Sequence, residues 1–342
     1  MNGRGSLERL TLDQWQAYVE GHGEATIFHT RAWLDLLVEQ YRFPLHLLAL
    51  KNSGEVVAAA PFLETHRLFG PRKLVSLPFS DSIQLLSASP SAAKAFRERL
   101  AGEHIAGIEA IVMRTDKPIE PPRAPAPWVR HRVELARPVA EIQAAFHRSV
   151  HTNVRKARRR GLSVAFRKDA DAMGIFYRLQ LLTRRRLGVP NQPRRFFQRF
   201  YDALIATGPG RVAIVSRSGQ PVAAGVLLSF NGTTVYKYAA ADPRTFGDRP
   251  TDLLAATAID SATGAGEHTF DFGITRADQA GLLRFKDKFA TTRVDVFNEA
   301  ILGTPEPLTE LSPSMSVLSF AIRHSPMLIC QMVGDLFYRF SP

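Results

Sequence analysis

The chain has 342 residues, 45% apolar and 9% aromatic, which excludes a disordered or collagen-like polymer and makes two domains of ordinary size the starting expectation. Its single cysteine, Cys330, excludes an intramolecular disulfide framework and a zinc cage, and points to a reducing compartment. Net charge is +12, but residues 148–199 carry 15 Lys and Arg against only Asp169 and Asp171, a net +13 that leaves the remainder of the chain at −1, so a polyanionic partner is expected.

In chain order, the opening residues MNGRGSLERLTLDQW contain no apolar signal segment. The C-terminal apolar runs are broken by Arg323, His324, Pro326 and Asp335, short of the ~20 residues a spanning helix needs. A cytoplasmic protein is expected, with the inner membrane face as a peripheral alternative. Thr11 and Gln14 form a capping box for a first helix, and a second starts near Thr30, burying Trp33, Leu34, Leu37, Val38 and Tyr41. A hairpin over 45–63 and a strand at 73–79 follow, then a helix capped by Ser89 and Pro90, and a strand at 107–113. PIEPPRAPAP, residues 118–127, has five prolines in ten positions and reads as an extended connector.

Beyond it come the strand WVRHRVEL and a helix from Pro138 to Arg160 with the stripe Ile142, Phe146, Val150, Val154 and Ala157, stopped by Gly161. A strand at 162–167, helices at 171–187 and 194–206, a hairpin at 211–230 and the strand TTVYKYAAA are next. A helix from Thr251, the strand HTFDFG, a helix through GLLRFKDKF and a strand at 292–299 complete an α+β layout. The tail from 305 reads as two short helices broken at Pro326.

LALKNSGEVVAAAPFL (48–63) and AIVSRSGQPVAAGVLL (213–228) share the frame S-G-x-x-V-A-A at an offset of 165 residues, the mark of one hairpin used once per half. This repeat, the basic helix VHTNVRKARRRGLSV, and FDFG followed by GLLRFKDKF resemble the tandem N-acetyltransferase (GNAT) fold of the Fem-type aminoacyltransferases. The resemblance implies two GNAT-like domains, each a mixed, mostly antiparallel sheet flanked by helices. They are expected over 1–127 and 128–304, with 305–342 folding back on the first. It also implies transfer of an amino acid from aminoacyl-tRNA, with no cofactor, to an amine of a cell-envelope precursor or peptide-like acceptor.

By the same resemblance Lys286 stabilises the oxyanion of acyl transfer, Tyr236 and Tyr238 contact the acceptor, and one of Arg184, Arg185 and Arg186 meets acceptor phosphates. Two tyrosines two apart on a regular strand point to one face. Asp271, at a strand end, is a candidate acid or a cap of the next turn. Arg155, Lys156, Arg158, Arg159 and Arg160 are expected to hold tRNA phosphates. His29, His147, His151 and His268 show no metal-ligand spacing.

RTFGDRPTDLL (244–254) stands where ordinary GNAT enzymes cradle the coenzyme A pyrophosphate. Arg244 and Gly247 fit, but Arg249 replaces the second glycine and Pro250 removes an N–H donor. Two alternatives stay open: an acyl-CoA-dependent N-acyltransferase acting on an envelope saccharide or sugar nucleotide, and a non-catalytic module that binds nucleic acid or an anionic membrane.

Overall fold

Both Ser-Gly pairs of the repeat are hairpin turns with two left-handed residues: Ser53 and Gly54 at φ +51° and +89°, Ser218 and Gly219 at +49° and +77°. That backbone matches the twist of the strands it joins. In the computed structural model, which describes residues 5–66, 71–122, 124–303 and 313–324, each turn joins two long antiparallel strands. Their ladders also share a bulge: Val57 is the extra residue in the first copy and Val222 in the second, again 165 positions apart. Turn and bulge alike are repeated, as a doubled domain requires.

The described residues fall into two units, one from 5–129 with 294–303 and one from 130–293 with 313–324. In the first unit, β1 (Ser6–Arg9), α1 (Leu12–Glu20), α2 (Arg31–Tyr41), β2 (Leu45–Asn52), β3 (Glu55–His66), β4 (Arg72–Val75), β5 (Leu86–Ser87), α3 (Pro90–Ala101) and β6 (Ile108–Thr115) follow in order. Its sheet runs β1-β2-β3-β4-β6 and continues into the late strand at Thr292–Leu302, with β5 beside β3; only β4 and β6 pair parallel. The capping boxes and caps read from the sequence form: Gln14 N–H donates to Thr11 Oγ1 at 3.2 Å, and Ala92 N–H to Ser89 Oγ at 3.1 Å. β4 is shorter than the strand expected at 73–79, because Leu77 and Phe79 take left-handed backbone that no regular strand allows.

The second unit comprises β7 (Trp128–Glu134), α4 (Val139–Ala144), α5 (Arg148–Arg159), β8 (Leu162–Arg167), α6 (Ala170–Leu187), α7 (Arg194–Phe200, continued by a π turn over Tyr201–Ala206), β9 (Gly210–Arg217), β10 (Gln220–Phe230), β11 (Thr233–Ala241), α8 (Pro250–Gly264), β12 (Thr269–Arg276) and α9 (Ala280–Asp287). The strand that follows, β13, is the late strand of the first unit, and α10 (Pro313–His324) belongs to the second. Strand order is β7-β12-β11-β10-β9-β8, antiparallel from β8 to β11 and parallel between β11 and β12.

Three expectations are corrected here. The helix foreseen over 138–160 is two, because Phe146 and His147 leave the helical path and His147 Nδ1 caps α5 by accepting from Ser149 N–H at 3.2 Å. The stripe nevertheless holds: Ile142, Phe146, Val150 and Ala157 are all buried against α8 and the sheet. The second domain gives up its last strand at residue 294 rather than closing at 304, and the described part of the tail, α10, packs on α6 instead of joining the first domain.

Candidate active site

β11 and β12 pair over Thr233–Val235 with Thr269–Asp271, and the ladder ends there. Tyr236–Ala241 and Phe272–Arg276 therefore lack each other's hydrogen bonds at the carboxyl end of the sheet, where open sheets with parallel strands hold ligands. Lys286, on α9, fills part of that deficit. Its buried ammonium donates to the carbonyls of Phe272 at 2.7 Å, Gly273 at 2.9 Å and Ile274 at 3.5 Å. Successive carbonyls of a regular strand alternate in direction. Gly273, at φ +67°, breaks the alternation and lets three in a row converge on one cation, which gives the FDFG glycine a conformational reason.

Asp271 locks this backbone. Its Oδ1 accepts the Gly273 N–H at 2.7 Å, and its Oδ2 accepts from Arg130 Nε at 2.6 Å, is ion-paired to Arg130 Nη2, and lies 3.9 Å from Arg132 Nε. Asp271 is 1% exposed and Arg130 2%. A carboxylate held so completely positions the strand, and of the two sequence expectations for Asp271, catalytic acid or cap of the next turn, its bond to Gly273 N–H is the geometry of the cap.

Beside Lys286, His131 of β7 is fully buried, with Nε2 3.3 Å from Asp287 Oδ1; Asp287 in turn takes Arg293 Nε at 2.8 Å and Nη2 at 2.5 Å. Burial, and then the Lys286 charge, push the His131 pKa down to about 4, so the imidazole is neutral near pH 7. The sequence reading passed over Arg130 and His131; its one signal was a row of basic residues inside an otherwise apolar strand.

The two tyrosines do not share a face. Tyr238 sits opposite Val226 and Tyr236 opposite Leu227, so Lys237 is an extra residue and the bulge turns the chain over. Tyr236 points into the core formed with Val150, Leu254, Phe270 and Phe272, and its burial drives the hydroxyl pKa well above the ordinary range. Tyr238 points the other way, against Phe176, Phe197 and Phe200, and donates to Gln192 Oε1 at 3.1 Å.

The turn Pro243–Asp248 leads into α8, which begins at Pro250 after left-handed Arg249 and has no side-chain cap. In its first turn, Asp252 is buried, accepts from Asn153 Nδ2 at 3.0 Å and lies 3.9 Å from Lys288 Nζ. Arg244 folds onto Asp242 with contacts from 2.7 Å. Arg217 and Arg160 lie 2.5 Å and 3.9 Å from Asp248, and the Arg186 guanidinium sits 5.3 Å above the Phe246 ring.

The basic block is not one surface. α5 packs along α8, whereas α6 and α7 cover the opposite face, the side of Tyr238. Arg155, Arg158 and Arg159 of α5 are exposed and, among the described residues, meet no acid; Lys156 is half-buried. A cleft of about 430 Å³ runs beside this row, floored by Phe146, Val150, Val154 and Ala256, with Arg155 and Arg158 at its rim. On the other face, Arg184 Nε donates to Pro190 O at 3.1 Å, and Arg185 and Arg186 continue to the helix end. Both groups reach the 243–248 turn, through Arg160 and Arg186.

Residues 145–287, which contain all of these groups except those on β7 and those beyond α9, match the family model described as Acetyltransferase (GNAT) domain. Over that span the chain is similar to a GNAT acetyltransferase domain. Its fold is also that of several solved structures: FemX is 15% identical, with 87% of this chain and 97% of FemX covered at a TM-score of 0.68. L-PGS from Bacillus licheniformis is 13% identical over 93% of this chain and 99% of that one, at 0.54. The C-terminal domain of a putative lysylphosphatidylglycerol synthetase from Agrobacterium fabrum is 14% identical over 93% and 96%, at 0.51. A search of curated protein sequences finds no match. Within the matched span Asp271 and Lys286 lie on its last strand and helix, and the arginine row on its first helix.

Proposed function

We propose that this GNAT-type enzyme transfers an aminoacyl group from aminoacyl-tRNA to a primary amine of a cell-envelope precursor or peptide-like acceptor. The observation that carries the reading is the row Arg155, Arg158 and Arg159, exposed and, among the described residues, without acidic partners on the helix that flanks α8. Such a row suits a backbone of successive phosphates. The first turn of α8 argues against coenzyme A in the same place. A pyrophosphate there would meet the buried Asp252 carboxylate, and Pro250 withholds one of the N–H donors such a group needs. The fold shared with FemX and L-PGS supports the same choice.

In this reading the amine nitrogen attacks the ester carbonyl of the charged tRNA, a C–N bond forms, and the carbonyl oxygen becomes an oxyanion. The C–O bond to the ribose then breaks, and the ribose oxygen leaves with the proton the amine gives up. Lys286 answers the oxyanion: its 3.5 Å contact with Ile274 O is the weakest of its three, and exchanging that partner for the oxyanion leaves the two short bonds in place. Donors aimed at such an oxygen are worth about 3 kcal/mol of barrier.

The test sets the two donors side by side. Amide formation from a bulk charged-tRNA pool and an amine-bearing envelope extract, with no heat of coenzyme A binding in calorimetry, is the expected result. Saturable coenzyme A binding with acetyl transfer would overturn the donor. Lys286→Met is expected to lower turnover at least 100-fold while tRNA affinity stays unchanged; a loss of affinity with normal turnover contradicts the oxyanion role.

A further inference from the structure

Four of the six large apolar side chains that the described residues expose lie together in the second unit: Leu187, Val189, Phe246 and Phe320, the last 65% exposed. Specific contacts join them. Arg323 Nη2 donates to Leu187 O at 3.3 Å, which seats α10 on the end of α6. Gly188, left-handed at φ +69°, lies so close to α10 that a Cβ there would stand 2.3 Å from Ser319 Oγ. Arg186 covers the Phe246 ring, and the Phe320 ring lies tilted by 30° against His324 with centroids 4.2 Å apart.

The rim of this patch is cationic. Arg186 and Arg323 are exposed around it, while the nearby acids Asp242 and Asp248 are taken up by Arg244 and Arg217. A nucleic acid takes phosphate and base-edge contacts, which exposed leucine and valine do not supply. Apolar side chains projecting among arginines match a bilayer whose acyl region takes the former and whose anionic headgroups take the latter.

We infer that this end of the second unit docks on an anionic phospholipid surface, with Leu187, Val189, Phe246 and Phe320 entering the headgroup region and Arg186 and Arg323 pairing with lipid phosphates. The inference does not depend on the identity of the acyl donor. Among the described residues no helix is long and apolar enough to cross a membrane, so the contact is peripheral.

The test uses the full chain and two kinds of vesicle, one of phosphatidylcholine alone and one with 30% phosphatidylglycerol. Sedimentation with the anionic vesicles only is expected, weakened about fivefold by Arg323→Glu through the lost headgroup attraction and by Phe320→Ser through lost insertion. Equal binding to both vesicles, or none to either, overturns the inference. A bimane label on Phe320→Cys, in a Cys330→Ser background, separates the remaining occupant. A blue shift that appears only on anionic vesicles supports docking. A label already in an apolar setting without lipid, and unmoved by it, means that residues 325–342 or a second copy cover the patch, and contradicts it.

Discussion

The two copies of the hairpin are alike down to the left-handed pair in the turn and the extra valine after it, yet only the second is surrounded by the chemistry of a site. In the first unit, the helix that follows β5 begins with a Ser89 side chain that accepts from its own first turn at Ala92 N–H. In the second, α8 begins uncapped, β11 carries an extra residue, and the neighbouring strand hands three carbonyls to one lysine. The hairpin is scaffold. What distinguishes the copies is a few local departures from regular backbone, two of them beside the buried charges Asp252, Asp271 and Lys286.

Removing one of those charges is the most severe way to break the comparison. Asp271→Ala removes the carboxylate that pairs with Arg130 and accepts from Gly273 N–H in the core, and a loss of about 3–5 kcal/mol in urea unfolding is expected. A loss below about 1 kcal/mol would mean that the pair does not hold the strand.

The next effect is a pH dependence belonging to the second copy. Unfolded, His131 takes up a proton below its ordinary pKa near 6.5; folded, it resists until about 4. Stability therefore falls as pH drops through that window, by up to about 3 kcal/mol, and is fully present above it. His131→Gln is expected to remove this part of the slope, and an unchanged slope in the variant contradicts the burial argument.

Smallest is the effect shared by both copies. Gly54→Ala and Gly219→Ala meet no neighbouring atom but keep a left-handed backbone, so each is expected to cost about 1 kcal/mol, and both the same amount within error. Clearly unequal losses would show that the two turns are not under the same constraint.

Local chemistry made much of this fold readable. A capping box, a Ser-Pro helix start, a Ser-Gly turn and five prolines in ten residues each act within a few positions, and each appears where the sequence places it. The misreadings arise where one residue or one distant partner decides the outcome. Lys237 turns Tyr236 and Tyr238 to opposite faces, and period-2 reasoning has no way to anticipate an inserted residue. Asp271 meets Arg130 across 141 positions, a pairing that no local pattern encodes. The +13 segment is contiguous in sequence, but the sheet passes between α5 and α6 and divides its arginines. Lys286 was singled out through the resemblance, whereas its three carbonyl partners depend on the left-handed turn at Gly273.

The central claim is that the α5 arginines grip a phosphate-rich donor, and the salt dependence of charged-tRNA binding tests it most directly. Each phosphate contact contributes about 0.7–0.9 to the slope of log affinity against log salt. Arg155→Gln combined with Arg158→Gln is therefore expected to weaken binding of a charged-tRNA pool and to lower that slope by about 1–2. An identical slope and affinity in the double variant would contradict the account.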